Sequence, residues 1–341
     1  MGMVGLPANQ HDFDAAWRPA STPRVPAWLG ALAVQDGILF GFLTTMRLLV
    51  ALAAVGPARD GAARLVDGAL VLLAVGVVVG RVVPGLTRSV RAVVYRTCIA
   101  GTLMASYLML RDVLLVVRTD SLDDVLARLD ARLFGVTPAL WMEAFATRAA
   151  VEYFSFFYFS YFVLLIGYTV VVVWLERPSR HTAGFAIGTL LVFGIGQLGY
   201  VVVPGYGPYV HLSSSFAAPL DGGFFWSLVQ GAVQAGGAMK DIFPSLHTAV
   251  PTWLSAYAVL RARHDLRWRV PALVTGFFAA NIVVSTMFLR WHYAVDVIAG
   301  LALAALAALV APRLARWEER RRARFGHSQP WAFEGGPVSE S

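Results

Sequence analysis

Charge is scarce in this chain, and cysteine and lysine are nearly missing. Charged residues fill 14% of the 341 positions and hydrophobic ones 57%, with a mean hydropathy of +0.63. A soluble domain carries about a quarter charged residues, so the surplus apolar surface has to face lipid and the expected class is a polytopic membrane protein. The single cysteine, Cys98, lies inside an apolar run, which excludes a disulfide within the chain and suggests no cysteine-based metal site. Lys240 is the only lysine; the other 27 of the 28 basic residues are arginine. A formal net charge of +7 first suggests nucleic acid, but the positive residues sit in loops between apolar runs, as they do in cytoplasmic loops of membrane proteins. No nucleic-acid partner is expected. The first 27 residues hold no basic segment feeding a cleavable apolar stretch, so no signal peptide is expected and the first span would direct insertion.

About 20 apolar residues cross the hydrocarbon as a helix. The sequence predicts an all-α bundle of about eight such spans, near 36–55, 65–83, 92–117, 149–174, 184–203, 244–260, 270–289 and 294–310. Residues 1–34 read as a polar N-terminal segment, 35–311 as the transmembrane domain and 312–341 as a basic and polar tail. Two helices lying in the interface plane are expected between spans three and four. The first starts near Ser121, with Leu122, Val125, Leu126, Leu129 and Leu133 on one face and Asp123, Asp124, Arg128 and Asp130 elsewhere. The second is opened by Thr137-Pro138. The segment 204–243 is rich in Gly, Ser and aromatics and reads as a long connection. Eight spans put both termini on one side. With the N-terminus inside, 17 Lys and Arg fall in inner segments, 8 in outer ones and 3 within spans. The bias places both termini in the cytoplasm of a plasma-membrane protein, and the starts of spans six and eight on the outer face together.

Those two starts carry the chemistry. His292 and Asp296 are four apart at the head of a helix and share one face. A carboxylate there can accept the imidazole Nδ1–H, fix the tautomer and leave Nε2 free as a nucleophile; the alternative is a His–Asp pair that ties two helices together. In Phe243-Pro244-Ser245-Leu246-His247, Pro244 suits a first helical position, Ser245 adds a hydroxyl and His247 projects from the first turn. The N–H groups and dipole of that helix would seat a phosphate; the alternative is a proline-started helix with a stray polar residue. Together the residues predict phosphoryl transfer: His292 attacks phosphorus with Asp296 assisting, and His247 protonates the departing oxygen. Cations are needed around the phosphoryl oxygens, and Lys240, Arg290 and Arg111 are the candidates. Interfacial snorkelling also accounts for Lys240 and Arg290, and a pair with Asp112 or another carboxylate accounts for Arg111.

Pro244-Ser245-x-His247 and Ser285…His292-x-x-x-Asp296 resemble the second and third signatures of the type-2 phosphatidic acid phosphatase (PAP2) superfamily. The resemblance implies the His292, Asp296 and His247 roles just derived, with no metal and no other cofactor. A K-x6-R-P first signature is missing, and Thr286 stands where the third signature carries arginine. The FPSLH run 243–247 and the HYxxDxxAG run 292–300 are similar to the inositol phosphorylceramide synthase branch, as is the proline-glycine stretch 204–209. Tyr107-x-x-x-Arg111-Asp112 and Asp130…Phe134-Gly135…Pro138 resemble it more loosely, and the likeness spans about 107–303. It implies substrate contacts at Tyr206, Gly207 and Tyr293, a lipid-linked phosphate as substrate within membrane lipid, and an alcohol such as inositol as acceptor.

Three other readings are distinguishable. A lipid phosphate or pyrophosphate phosphatase differs only in using water as acceptor. CDP-alcohol phosphotransfer needs a metal-binding carboxylate array, and Asp60-Gly61-Ala62-Ala63-Arg64 has the wrong spacing for it and lacks the downstream carboxylates. A transporter could use Asp36, Asp67 and Glu152 as relay groups, but the sequence shows no inverted repeat and no paired broken helices.

Overall fold

The structure, a computed structural model, describes residues 32–324 except 82, 84, 177 and 237–239, together with Trp331. Most of the expected N-terminal segment, and most of the tail beyond 324, lie outside the described residues. Among the described residues all regular structure is helical. The front of the chain forms α1 (Val34–Leu52), α2 (Pro57–Arg81), α3 (Arg88–Leu108) and α4 (Leu110–Val117). Two short helices follow, α5 (Asp123–Phe134) and α6 (Pro138–Met142). The remainder comprises α7 (Arg148–Thr169, ending in a π turn over Val170–Leu175), α8 (Arg180–Val202), α9 (Pro208–His211), α10 (Phe224–Gly236), α11 (Leu246–Ala262), α12 (Arg269–Phe288) and α13 (Ala294–Arg324). Hydroxyl caps start several of them: Thr87 accepts from the Val90 N–H, Thr147 from Ala150 and Ser245 from Thr248.

Six helices, α1, α2, α7, α8, α13 and α12 with its preceding turn, are long and apolar enough to cross a membrane. The α3–α4 pair, bent by 43°, makes a seventh if taken as one span. The expected sixth span is α11, whose 17 residues extend about 26 Å at 1.5 Å per residue, a little short of a ~30 Å hydrocarbon core. The expected count of eight is therefore not reached by length. α11 packs on α12, α13, α8 and α7, and most of its side chains are buried. It starts at Leu246 with Ser245 as its cap, so Pro244 lies ahead of the helix and not at its first position. Side chains such as Leu48, Val71, Val163, Leu273 and Leu309 are exposed on the outside of the bundle, as lipid-facing residues should be.

Two elements go beyond the sequence reading. α10 falls within the stretch read as a connection. Its first N–H groups are satisfied from α7, where Glu152 accepts from Gly223, Phe225 and Trp226. α5 is a helix as expected, and it meets the protein through two carboxylates and Leu126. Asp123 and Asp130, seven apart and two turns along one side, are buried, while Val125, Leu129 and Leu133 are exposed. Asp130 accepts from the Ala294 and Val295 N–H groups, both at 3.0 Å, and so caps α13 from outside. Asp123 accepts from the Tyr206 and Gly207 N–H groups and from the Tyr293 hydroxyl. Lipid reverses the usual preference: the apolar stripe faces outward and the carboxylates turn to the protein's unpaired backbone donors.

The carboxylates considered for a relay each have partners. Asp36 accepts from Arg81 at 2.9 Å and from the Tyr95 hydroxyl, Asp67 accepts from Arg47 at 2.7 Å, and Glu152 holds α10.

Capping by Asp130 has a measurable consequence. Asp130→Ala orphans two buried helix donors and should cost about 1–3 kcal/mol, read as a lowered unfolding temperature of the detergent-solubilised protein. Asp124→Ala, on the exposed side of the same helix, should change it by less than about 0.5 kcal/mol. Equal shifts for the two would contradict the capping role.

Candidate active site

Two helix starts meet at one point. The Ser245 N–H donates to the Asp296 carbonyl at 3.1 Å, joining the head of α11 to the head of α13. Gly300 permits this approach, because a Cβ there would lie 2.5 Å from the Ser245 carbonyl oxygen. His247 on α11 and His292 just before α13 are thereby brought together, with ring centroids 6.4 Å apart. His292 is fixed through its backbone, since the Trp291 and His292 N–H groups both donate to the Thr286 carbonyl. His247 stacks on Tyr158 at 4.2 Å and lies 4.3 Å from the Tyr161 ring.

Asp296 is buried and its Oδ2 lies 3.5 Å from His292 Nδ1, close enough for an ion pair but beyond a formed hydrogen bond. That oxygen accepts from the Tyr293 N–H at 3.0 Å. His247 Nε2, His292 Nδ1 and Asp296 Oδ1 are buried with no hydrogen-bond partner among the described residues. Buried polar atoms are nearly always satisfied, so three such atoms at one point make it the candidate site. The two histidines adjoin a cavity of about 70 Å³ that Tyr107, Tyr158, Tyr206 and Asp241 also line, with Trp291 in its wall. A second, apolar cavity of about 300 Å³ shares Tyr107, Phe162, Asp241 and His247 with the first. It runs between α3, α7 and α8 as far as Arg96 and Trp331, and the Trp331 carbonyl accepts from Arg96.

A model of the PAP2 superfamily matches residues 124–310, more than half of the chain. The chain belongs to the PAP2 superfamily. Searches of curated proteins and of solved structures each returned no match. The matched region begins within α5 and ends within α13, so this PAP2 protein's whole His–His–Asp cluster lies inside it. Membership and the apolar helices together are consistent with a membrane-bound lipid phosphatase or phosphotransferase.

The remaining candidates are distributed differently from the sequence reading. The Lys240 ammonium donates to the Arg118 and Asp120 carbonyls and lies 5.4 Å from the Tyr206 ring centroid. Arg290 donates to Glu143 at 3.0 Å and to the Ala218 carbonyl, with its guanidinium over Phe216. Neither lines the small cavity, and neither does Arg111, which is exposed on α4 one turn beyond Tyr107. The Ser245 hydroxyl is engaged as the α11 cap. Of the three residues implied as substrate contacts, Tyr206 lines the cavity, while Gly207 and Tyr293 brace it. Gly207 has φ 83°, and a Cβ there would meet the Trp291 carbonyl at 2.3 Å. The Tyr293 hydroxyl donates to Asp123 at 3.1 Å. Asp123, Asp130 and Asp241 are the residues that sequence reasoning did not assign to the site. The seven-residue spacing of the first pair was the available signal, and Asp241 adjoins the FPSLH run. Among the described residues no group of three or more His, Cys, Asp or Glu is arranged to hold a metal ion.

Burial pushes the His292 imidazole down to about 4, against the pull of the Asp241 carboxylate and the Ile242 carbonyl. A nucleophilic imidazole must be neutral, and a lowered pKa keeps it neutral to lower pH. With a phosphodiester substrate, the acidic limb of kcat/KM assigned to His292 is therefore expected near pH 4. A limb near 6.5, absent in the His292 variant, would contradict this environment.

Proposed function

We propose that this PAP2 protein moves a phospho-headgroup from a lipid to an alcohol, in the manner of an inositolphosphotransferase, through a phospho-histidine on His292. The observation that carries the reading is the pair of imidazoles facing one small cavity, with unpartnered nitrogens and a carboxylate behind His292. In the first step a neutral His292 nitrogen attacks phosphorus in line. The N–P bond forms as the P–O bond to the lipid breaks, and His247 gives its proton to the departing oxygen. In the second step the acceptor hydroxyl loses its proton to His247, its oxygen bonds to phosphorus and the N–P bond breaks. Asp296 orients the ring and steadies its positive charge in the intermediate. The 3.5 Å separation is of the kind that shortens when substrate is bound. The Ile242 carbonyl competes for the same ring, so closing onto Asp296 also selects the tautomer.

The apolar cavity between α3, α7 and α8 suits a lipid chain whose phosphate reaches His247. Arg111 is the candidate cation for the phosphoryl oxygens, being exposed one turn from Tyr107. Lys240 and Arg290 act as braces. Hydrolysis is the same chemistry with water in the second step. Charge bias across the spans favours a plasma-membrane site on the extracytoplasmic face with both termini cytoplasmic.

The test uses sealed right-side-out vesicles containing the protein and radiolabelled phospholipid, with inositol added only outside. A water-soluble inositol ester of the labelled phospho-headgroup is expected, with diacylglycerol left in the membrane. The ester should vanish in His292→Ala and fall by roughly 10²–10⁴ in His247→Ala, with expression intact. Headgroup release without inositol incorporation would give the hydrolase, and near-normal turnover in His292→Ala would remove the nucleophile assignment.

A further inference from the structure

One group in the small cavity opposes a phosphate. Asp241 lines that cavity beside His292, and among the described residues no ion pair or hydrogen bond to another residue holds its carboxylate. Its neighbour Lys240 turns away to the Arg118 and Asp120 carbonyls, and Arg290 is taken by Glu143. Among the described residues no Lys or Arg lines the cavity itself, and Arg111 is exposed outside it. The surrounding wall is aromatic, from Tyr107, Tyr158, Phe162, Tyr206 and Trp291. Tyr107 and Tyr158 lie within electrostatic range of the Asp241 carboxylate.

A pocket built for a phosphomonoester dianion puts cations where the oxygens lie. A carboxylate in that place repels the substrate, because like charges at short range disfavour each other's ionised forms. The conflict disappears if the substrate brings its own positive charge. Aromatic faces attract alkylammonium groups through their ring quadrupoles, and a carboxylate supplies the counter-charge.

We propose that the donor is a zwitterionic phosphodiester lipid whose headgroup carries an alkylammonium, and that Asp241 and Tyr107, backed by Tyr158 and Trp291, hold the ammonium while the histidines face the phosphorus. This deepens the phosphotransferase reading and rests on it for the step that follows binding. It also assigns a use to the one cavity carboxylate that the reaction does not employ. Lys240 lies over Tyr206, so that ring is already engaged with a cation and is left out of the ammonium site.

Two measurements on the full chain in nanodiscs separate the binding claim from the reaction. The first compares turnover of phosphatidylcholine and phosphatidylethanolamine with that of phosphatidic acid. Wild type should favour the zwitterions by about tenfold or more in kcat/KM, Asp241→Asn should lose most of that preference, and Asp241→Glu should keep it. The second measures equilibrium binding of hexadecylphosphocholine against hexadecyl phosphate, which needs no chemistry. A choline preference that disappears in Asp241→Asn supports the site even where turnover is nil, in which case the reaction reading fails alone. Equal affinity for the two probes, or an Asp241→Asn loss that is uniform across zwitterionic and anionic lipids, would overturn the ammonium site and leave Asp241 a general structural or acid–base residue.

Discussion

The backbone bond from Ser245 to Asp296 sets the distance between the two histidines. It requires two helix ends to approach within hydrogen-bonding distance, and α13 can do so because position 300 has no side chain. Each histidine is then within a few residues of the joint: His247 is placed by helix geometry, and His292, in the turn before α13, by its backbone bond to Thr286. Ordering a site this way lowers what substrate binding must supply to align the reacting groups. It also leaves His247, His292 and Asp296 with unpartnered polar atoms, a cost that a bound ligand would offset.

Carboxylates hold the loops around that joint. Asp123 gathers Tyr206, Gly207 and Tyr293, Asp130 caps α13, Glu143 takes Arg290 and the Ala217 N–H, and Glu152 starts α10. All four come from the stretch between α4 and the first turns of α7. At membrane depth an unsatisfied N–H is costly, and a short irregular segment such as 204–223 has many. The acidic residues of the interfacial region supply acceptors that water would supply elsewhere. The same logic explains why the two basic residues nearest the site act on carbonyls and carboxylates of the frame.

The His–His–Asp set was legible because its spacing reports helix heads: His292 and Asp296 are one turn apart, and Ser245 and His247 stand where a capped helix begins. The helical class and most spans followed from apolar run length. What escaped reading depended on partners far along the chain. α10 has no charge and two glycines, and its start is capped by Glu152, over 70 residues earlier. The side of α5 that meets the protein was not read, because Asp123 and Asp130 bond backbone donors 83 and 164 residues away. Lys240 and Arg290 were placed at the phosphate by proximity in sequence, whereas their side chains reach acceptors contributed by segments about 120 and 147 residues away.

The central claim is covalent chemistry at His292, and the most direct measurement is to catch it. The protein in lipid is mixed with donor phospholipid in the absence of acceptor alcohol, quenched at neutral pH with denaturant, digested and examined by mass spectrometry. The account predicts a peptide containing His292 that carries the phospho-headgroup, acid-labile and lost when acceptor is added before the quench. Continued turnover with an unmodified His292, or an adduct on a different residue, would contradict it.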